Sequence, residues 1–148
     1  MKKTDKRLTG DYFEEMTAET MKKNGYKIVA RNWEKHPYEL DIVALKDKTV
    51  VFTEVKSANV SNYEPPEKNI DSEKMLSLVR GAAAFLKELE ERGVDVSRFN
   101  KRFDAAAITF NDEKEPVEFK YYENYFICTD DRFSASDKNG ADADGTEK

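Results

Sequence analysis

Residues 39–57 read ELDIVALKDKTVVFTEVKS, two runs of alternating apolar and polar residues joined by Lys46-Asp47-Lys48. Alternation rich in β-branched and aromatic residues specifies half-buried strands, here Glu39–Leu45 and Thr49–Ser57, and the short polar turn makes them a hairpin. A two-residue loop at Asp47-Lys48 fixes the register, and a four-residue loop gives the same one. Asp41 then faces Glu54, and Glu39 faces Lys56. Because side chains alternate along a strand, these four share a face with Val43, Leu45, Val50 and Phe52. Directly opposed Cβ atoms lie only ~5 Å apart, and two like charges at that distance destabilise a sheet unless something offsets them.

Two readings of this face follow. In one, Glu39 and Lys56 form an ordinary cross-strand ion pair and the two acids sit at a solvated edge. In the other, Asp41 and Glu54 hold Mg²⁺ or Mn²⁺ with the Val55 carbonyl as a further ligand, since such ions take one or two carboxylates together with water and phosphate oxygens. Lys56 would then orient or help deprotonate a water attacking phosphorus, or stabilise the negative charge that develops. Spacing alone does not choose, because Asp…Glu-x-Lys is a short and common pattern.

Working outward, Phe13, Met16, Thr17, Thr20 and Met21 recur at helical spacing between a Thr9 N-cap and Asn24-Gly25. Tyr26–Asn32 reads as a strand and Glu34–Tyr38 as a loop. Residues 58–70 carry a Pro pair and no periodicity, which predicts a long loop. Asp71 or Ser72 caps a second helix with Met75, Leu78, Val79, Ala82, Leu86 and Leu89 on one face and Gly93 at its end. Arg102–Phe110 and Val117–Tyr122 complete the set as strands. The order αβββαββ fits an α/β or α+β sandwich better than a βαβ repeat.

The 148 residues suit one domain, expected over residues 1–133. Residues 134–148, SASDKNGADADGTEK, lack any large apolar side chain and read as a disordered acidic tail. The net charge of −5 argues against a protein that coats nucleic acid by bulk electrostatics, although local basic patches remain open. MKKTDKRLTG has no apolar segment behind its basic residues, and no stretch approaches membrane-spanning length, so the cytoplasm and no membrane partner are expected. One cysteine, Cys128, and one histidine, His36, cannot build a Cys/His zinc cluster, so a metal here would take oxygen ligands.

Taken together, GDYFEEMTAETMKKNGYKIVARNW, ELDIVAL, VVFTEVKS, KMLSLVRGAAAFL and KRFDAAAI resemble the bacterial YraN-like family, from Gly10 to about Phe126. That family is similar to archaeal Holliday-junction resolvases and to PD-(D/E)XK nucleases. The resemblance implies a restriction-endonuclease-like core, a mixed sheet of about five strands flanked by helices. It also implies a DNA-cutting endonuclease that uses Mg²⁺ or Mn²⁺, with branched DNA as a substrate class and a homodimer as one assembly. Carried over by motif, Asp41 and Glu54 become metal ligands, Lys56 the catalytic lysine and Glu14 a further acidic site residue. Arg31, Glu39 and Lys74 become supports or phosphate contacts. Two positions depart from the family pattern: Tyr38 stands where a glycine is usual, and Ala58 where an arginine is usual. A nucleic-acid-binding module that retains the fold without cutting, or a structural metal site in an interaction domain, are the alternatives.

Other residues take plainer readings. Glu14 borders the apolar stripe of its helix and points either along the sheet toward Asp41 or into water. Lys74 sits in the first turn of its helix, where the dipole disfavours a cation unless an anion is near, a hint of phosphate. Asp104 is expected to bond backbone or Arg102, and His36 is a loop residue. Tyr121, Tyr122, Tyr125 and Phe126 read as core or edge-strand residues rather than base-stacking ones.

Overall fold

The predicted stripe winds into helix α1, Asp5–Lys23, burying Phe13, Thr17, Ala18 and Met21. Helix is already formed at Asp5, the first described residue, so it does not wait for Thr9. It closes as expected at Gly25, whose φ of 92° only glycine adopts freely, with Tyr26 N donating to Met21 O at 3.0 Å. In this computed structural model residues 5–126 are described; Cys128 and the stretch 134–148 lie outside the described residues.

The remaining elements are β1 (Lys27–Lys35), β2 (Tyr38–Lys46), β3 (Thr49–Asn59), α2 (Ser72–Glu91), β4 (Asn100–Phe110) and β5 (Pro116–Phe126), with short 3₁₀ turns at Pro66–Asn69 and Val96–Arg98. They form a five-stranded mixed sheet in the order β1-β2-β3-β4-β5, the α+β architecture that the αβββαββ order predicts. The β2–β3 register is the expected one, from Lys46 opposite Thr49 to Ile42 opposite Thr53. The loop expected over Glu34–Tyr38 is shorter, because Lys35 pairs with Tyr38 and Glu34 with Glu39. Glu34, Lys35 and Glu39 are exposed and only Tyr38 is half-buried, so little side-chain alternation marks the pairing.

β3 pairs in parallel with β4 along its whole length, from Thr49 opposite Asn100 to Asn59 opposite Phe110. Parallel neighbours need a crossover, and α2 supplies it, so one βαβ unit is embedded in an otherwise antiparallel sheet. Asp71 caps α2 by accepting from Lys74 N at 2.9 Å. The sheet is covered on both faces. α1 packs on Ile42, Ala44 and Val51, while α2 packs on the alternate residues Val43, Val50 and Phe52. Among the described residues no helix is long and apolar enough to cross a membrane.

Gly81 brings α2 close to β2, since a Cβ there would sit 3.2 Å from Tyr38 Cβ and 3.3 Å from Leu40 Cδ2. Gly81→Ala is therefore expected to lose about 1–2 kcal/mol despite its better helix propensity. Urea denaturation checks this, and an unchanged midpoint would mean that α2 moves away freely.

Asp104 is fully buried and fully engaged. Arg102 forks onto it through Nε at 2.9 Å and Nη2 at 2.8 Å, Tyr121 donates its hydroxyl at 2.7 Å, and Asn124 N donates at 2.9 Å. The structural reading of Asp104 is thus correct, as is the core reading of the aromatics: Phe126 stacks on Phe103 at 4.8 Å and Tyr122 donates to Glu67 at 2.7 Å.

Candidate metal and phosphate site

Antiparallel pairing of β2 with β3 stops at Ile42–Thr53, one residue short of the facing acids. There a side chain takes over from the backbone, for Val55 N donates to Asp41 Oδ2 at 2.9 Å. On its other side Asp41 meets a second irregularity. The β1–β2 pairs run from Arg31–Ile42 to Trp33–Leu40, so Asn32 falls opposite Asp41, in the left-handed region at φ 51°. Asn tolerates that backbone better than most residues. The sheet is thus forked at Asp41, and the fork opens into a cleft of about 680 Å³ bounded by α1, β3 and α2.

The fork corrects one expectation. Glu39 does not pair with Lys56; it is exposed at the cleft rim and opposes Glu34 across β1, while the Lys56 ammonium lies 3.5 Å from Glu54 Oε2. Lys74, from the first turn of α2, reaches the same oxygen at 3.3 Å. Its partner in the folded chain is therefore the Glu54 carboxyl.

Of the expected site residues, Glu14, Glu39, Asp41, Glu54, Val55, Lys56 and Lys74 all line the cleft. Arg31 does not. Its guanidinium pairs with Glu15 at 2.8 Å and only tempers the charge of Glu14 from outside.

The electrostatics are those of a site short of positive charge. Glu54 is buried, and burial together with the adjacent Asp41 raises its carboxyl well above the usual range, against the pull of Lys74 and Lys56. Glu14 is pushed up to about 7, by burial first, then by Asp41 and Asp11. Its Oε1 is buried and accepts no hydrogen bond among the described residues.

Among the described residues no three His, Cys, Asp or Glu side chains form a ready metal cluster. A Mg²⁺ or Mn²⁺ ion, which keeps several waters, needs only the two carboxylates that are here. The donors fit such an ion: Asp41 and Glu54 are hard oxygen ligands, the Val55 backbone adjoins them, and the orphaned Glu14 oxygen faces the same charge deficit.

Sequence reasoning missed Asn32 and a basic rim. Lys6 and Arg7 from α1, and Lys114 from the β4–β5 turn, also line the cleft. Asn32 was read only as the end of a strand; Lys6 and Arg7 stood out only as N-terminal basic residues, and nothing in the sequence joins them to Lys114.

The family described as "Uncharacterised protein family UPF0102" matches residues 13–108. A UPF0102 protein of Chloroherpeton thalassium is 32% identical over 117 residues, covering 79% of this chain and 87% of the relative. Another, from Kosmotoga olearia, is 43% identical over 91 residues, covering 59% and 77%. The chain therefore belongs to the bacterial UPF0102 family, the YraN-like family that its motifs resemble.

Proposed function

We propose that the cleft binds the phosphate backbone of DNA and hydrolyses a phosphodiester bond, with Mg²⁺ or Mn²⁺ held by Asp41 and Glu54. The observation that carries this reading is the buried Glu54 beside the half-buried Asp41, with Lys56 and Lys74 converging on one Glu54 carboxylate oxygen. The PD-(D/E)XK resemblance of the same residues supports it. When bound, the ion supplies Lewis-acid polarisation of phosphate and a water of lowered pKa.

The chain's own groups do the rest. Glu54 holds the two ammonium groups at the cleft floor, where low dielectric strengthens their pull on a phosphate oxygen. Lys56 is placed to orient the attacking water and to stabilise charge developing on the phosphoryl oxygens. Lys74 adds a second cation from the N-terminal turn of α2, whose dipole also favours an anion.

Linear, flapped and four-way-junction DNA incubated with the protein and Mn²⁺ tests the proposal. Cleavage is expected, reduced at least about a hundredfold by Lys56→Ala. No cleavage of any substrate, or equal cleavage by the variant, would overturn it. One observation favours binding without cutting: Ala58 is buried in the cleft wall where the family pattern has an arginine. Salt-sensitive DNA binding that ignores Mn²⁺ and Glu54→Gln would support that second reading.

A further inference from the structure

Glycine inside a helix is destabilising relative to alanine, so it needs a reason. Two glycines here have the ordinary backbone reason: Gly25 and Gly93 end helices at φ 92° and 95°. Gly81 has a packing reason, the close approach of β2. Gly10 has neither. It lies within α1, and among the described residues a Cβ built on it would meet nothing within 4 Å.

Gly10 does, however, form part of the cleft wall. Lys6 stands one turn before it and Glu14 one turn after, both also on that wall. Arg7 and Asp11, paired with each other at 3.8 Å, flank the same row. From mouth to floor, α1 thus presents cations, then bare backbone, then a carboxyl beside Asp41. Across the cleft stand Asn59, Asn62 and Lys114, the last with its ammonium 5.2 Å over the Phe110 ring.

We propose that Gly10 is a substrate-positioning residue: the sugar–phosphate backbone of a nucleic-acid strand lies against α1 at this point on its way from the basic rim to Asp41 and Glu54. This rests on the function proposed above. The bare segment lets the strand approach the helix more closely than any side chain would allow, and the rim cations neutralise its phosphates. A glycine kept for an intermolecular contact has a particular signature: filling it strengthens the free protein and weakens the complex.

The test compares Gly10→Ala and Gly10→Gln in a Lys56→Ala background that suppresses cleavage. Melting temperature is measured alongside anisotropy of fluorescein-labelled single-stranded and duplex DNA oligonucleotides in Mg²⁺. Gly10→Ala is expected to melt about 3 °C higher and to bind roughly tenfold more weakly, with Gly10→Gln weaker still. A variant that is stabilised but binds unchanged would overturn the role of Gly10 and leave the proposed function standing. A destabilised Gly10→Ala would place the need for glycine within the fold and overturn it too. If the Lys56→Ala parent and the unmodified chain both bind neither oligonucleotide nor a labelled four-way junction, the proposed function falls and this inference with it.

Discussion

Glu54→Gln is expected to stabilise the protein above neutral pH while abolishing its response to Mn²⁺ and lowering DNA cleavage at least about a thousandfold. In the folded chain the Glu54 carboxyl keeps its proton to a pH well above that at which an unfolded chain releases it. Between those two pH values the native state binds more protons than the unfolded state, so stability falls as pH rises. Glu14, raised to about 7, contributes in the same direction. The glutamine amide mimics the protonated acid. Its advantage should be absent near pH 4 and grow to a gain in Tm on the order of 3–5 °C at pH 8. Wild-type protein should gain more from Mn²⁺ at pH 8 than at pH 5.5, because the ion requires ionised carboxylates. A lower Tm for Glu54→Gln at pH 8 would show that the Lys56 and Lys74 pairs outweigh burial and the charge of Asp41, and would sink the reading of a site short of positive charge.

The second large effect lies at the opposite kind of acid. Asp104→Ala is expected to lose about 3–5 kcal/mol, lowering Tm on the order of 10–15 °C. The cost comes from what is left behind. The Arg102 guanidinium would lose its carboxylate and keep the Tyr26 hydroxyl at 2.6 Å, the Tyr26 ring and a marginal contact with Glu123 at 4.0 Å; Tyr121 would keep Thr53 Oγ1 at 3.0 Å, and Asn124 N would lose its acceptor. Urea denaturation gives the number directly, and a loss under about 1 kcal/mol would refute the structural assignment. Two buried acids are thereby separated by their partners. Asp104 is satisfied by geometry that arrives with the fold, whereas Glu54 is crowded by another acid.

The β2–β3 hairpin was legible because alternation and a short turn each fix the register independently, and they agree. α2 was legible through its apolar period and its Asp71 cap. What stayed hidden depends on neighbours that the sequence does not place. The parallel partnership of β3 with β4 leaves no local signature, since residues 100–110 read as a strand with either neighbour. The Glu39–Lys56 pairing failed because register rules assume that the ladder continues, and Asp41 ends it. The sequence could not show that Lys74 meets the Glu54 carboxyl, which a different element brings to 3.3 Å. Arg31 matched a family motif yet turns to Glu15, a residue of α1 that only folding brings within 2.8 Å.

The fork at Asp41 also gives the protein an internal gauge. Every other amide along the β2–β3 seam would donate to a neutral carbonyl if the ladder ran on, but that of Val55 donates to an ionisable oxygen. A hydrogen bond to a charged acceptor is shorter and stronger than one to a neutral acceptor. On the ion-binding reading proposed above, the resonance of this single amide proton is expected to move when Mg²⁺ is added, because its acceptor is a carboxylate that would hold the ion.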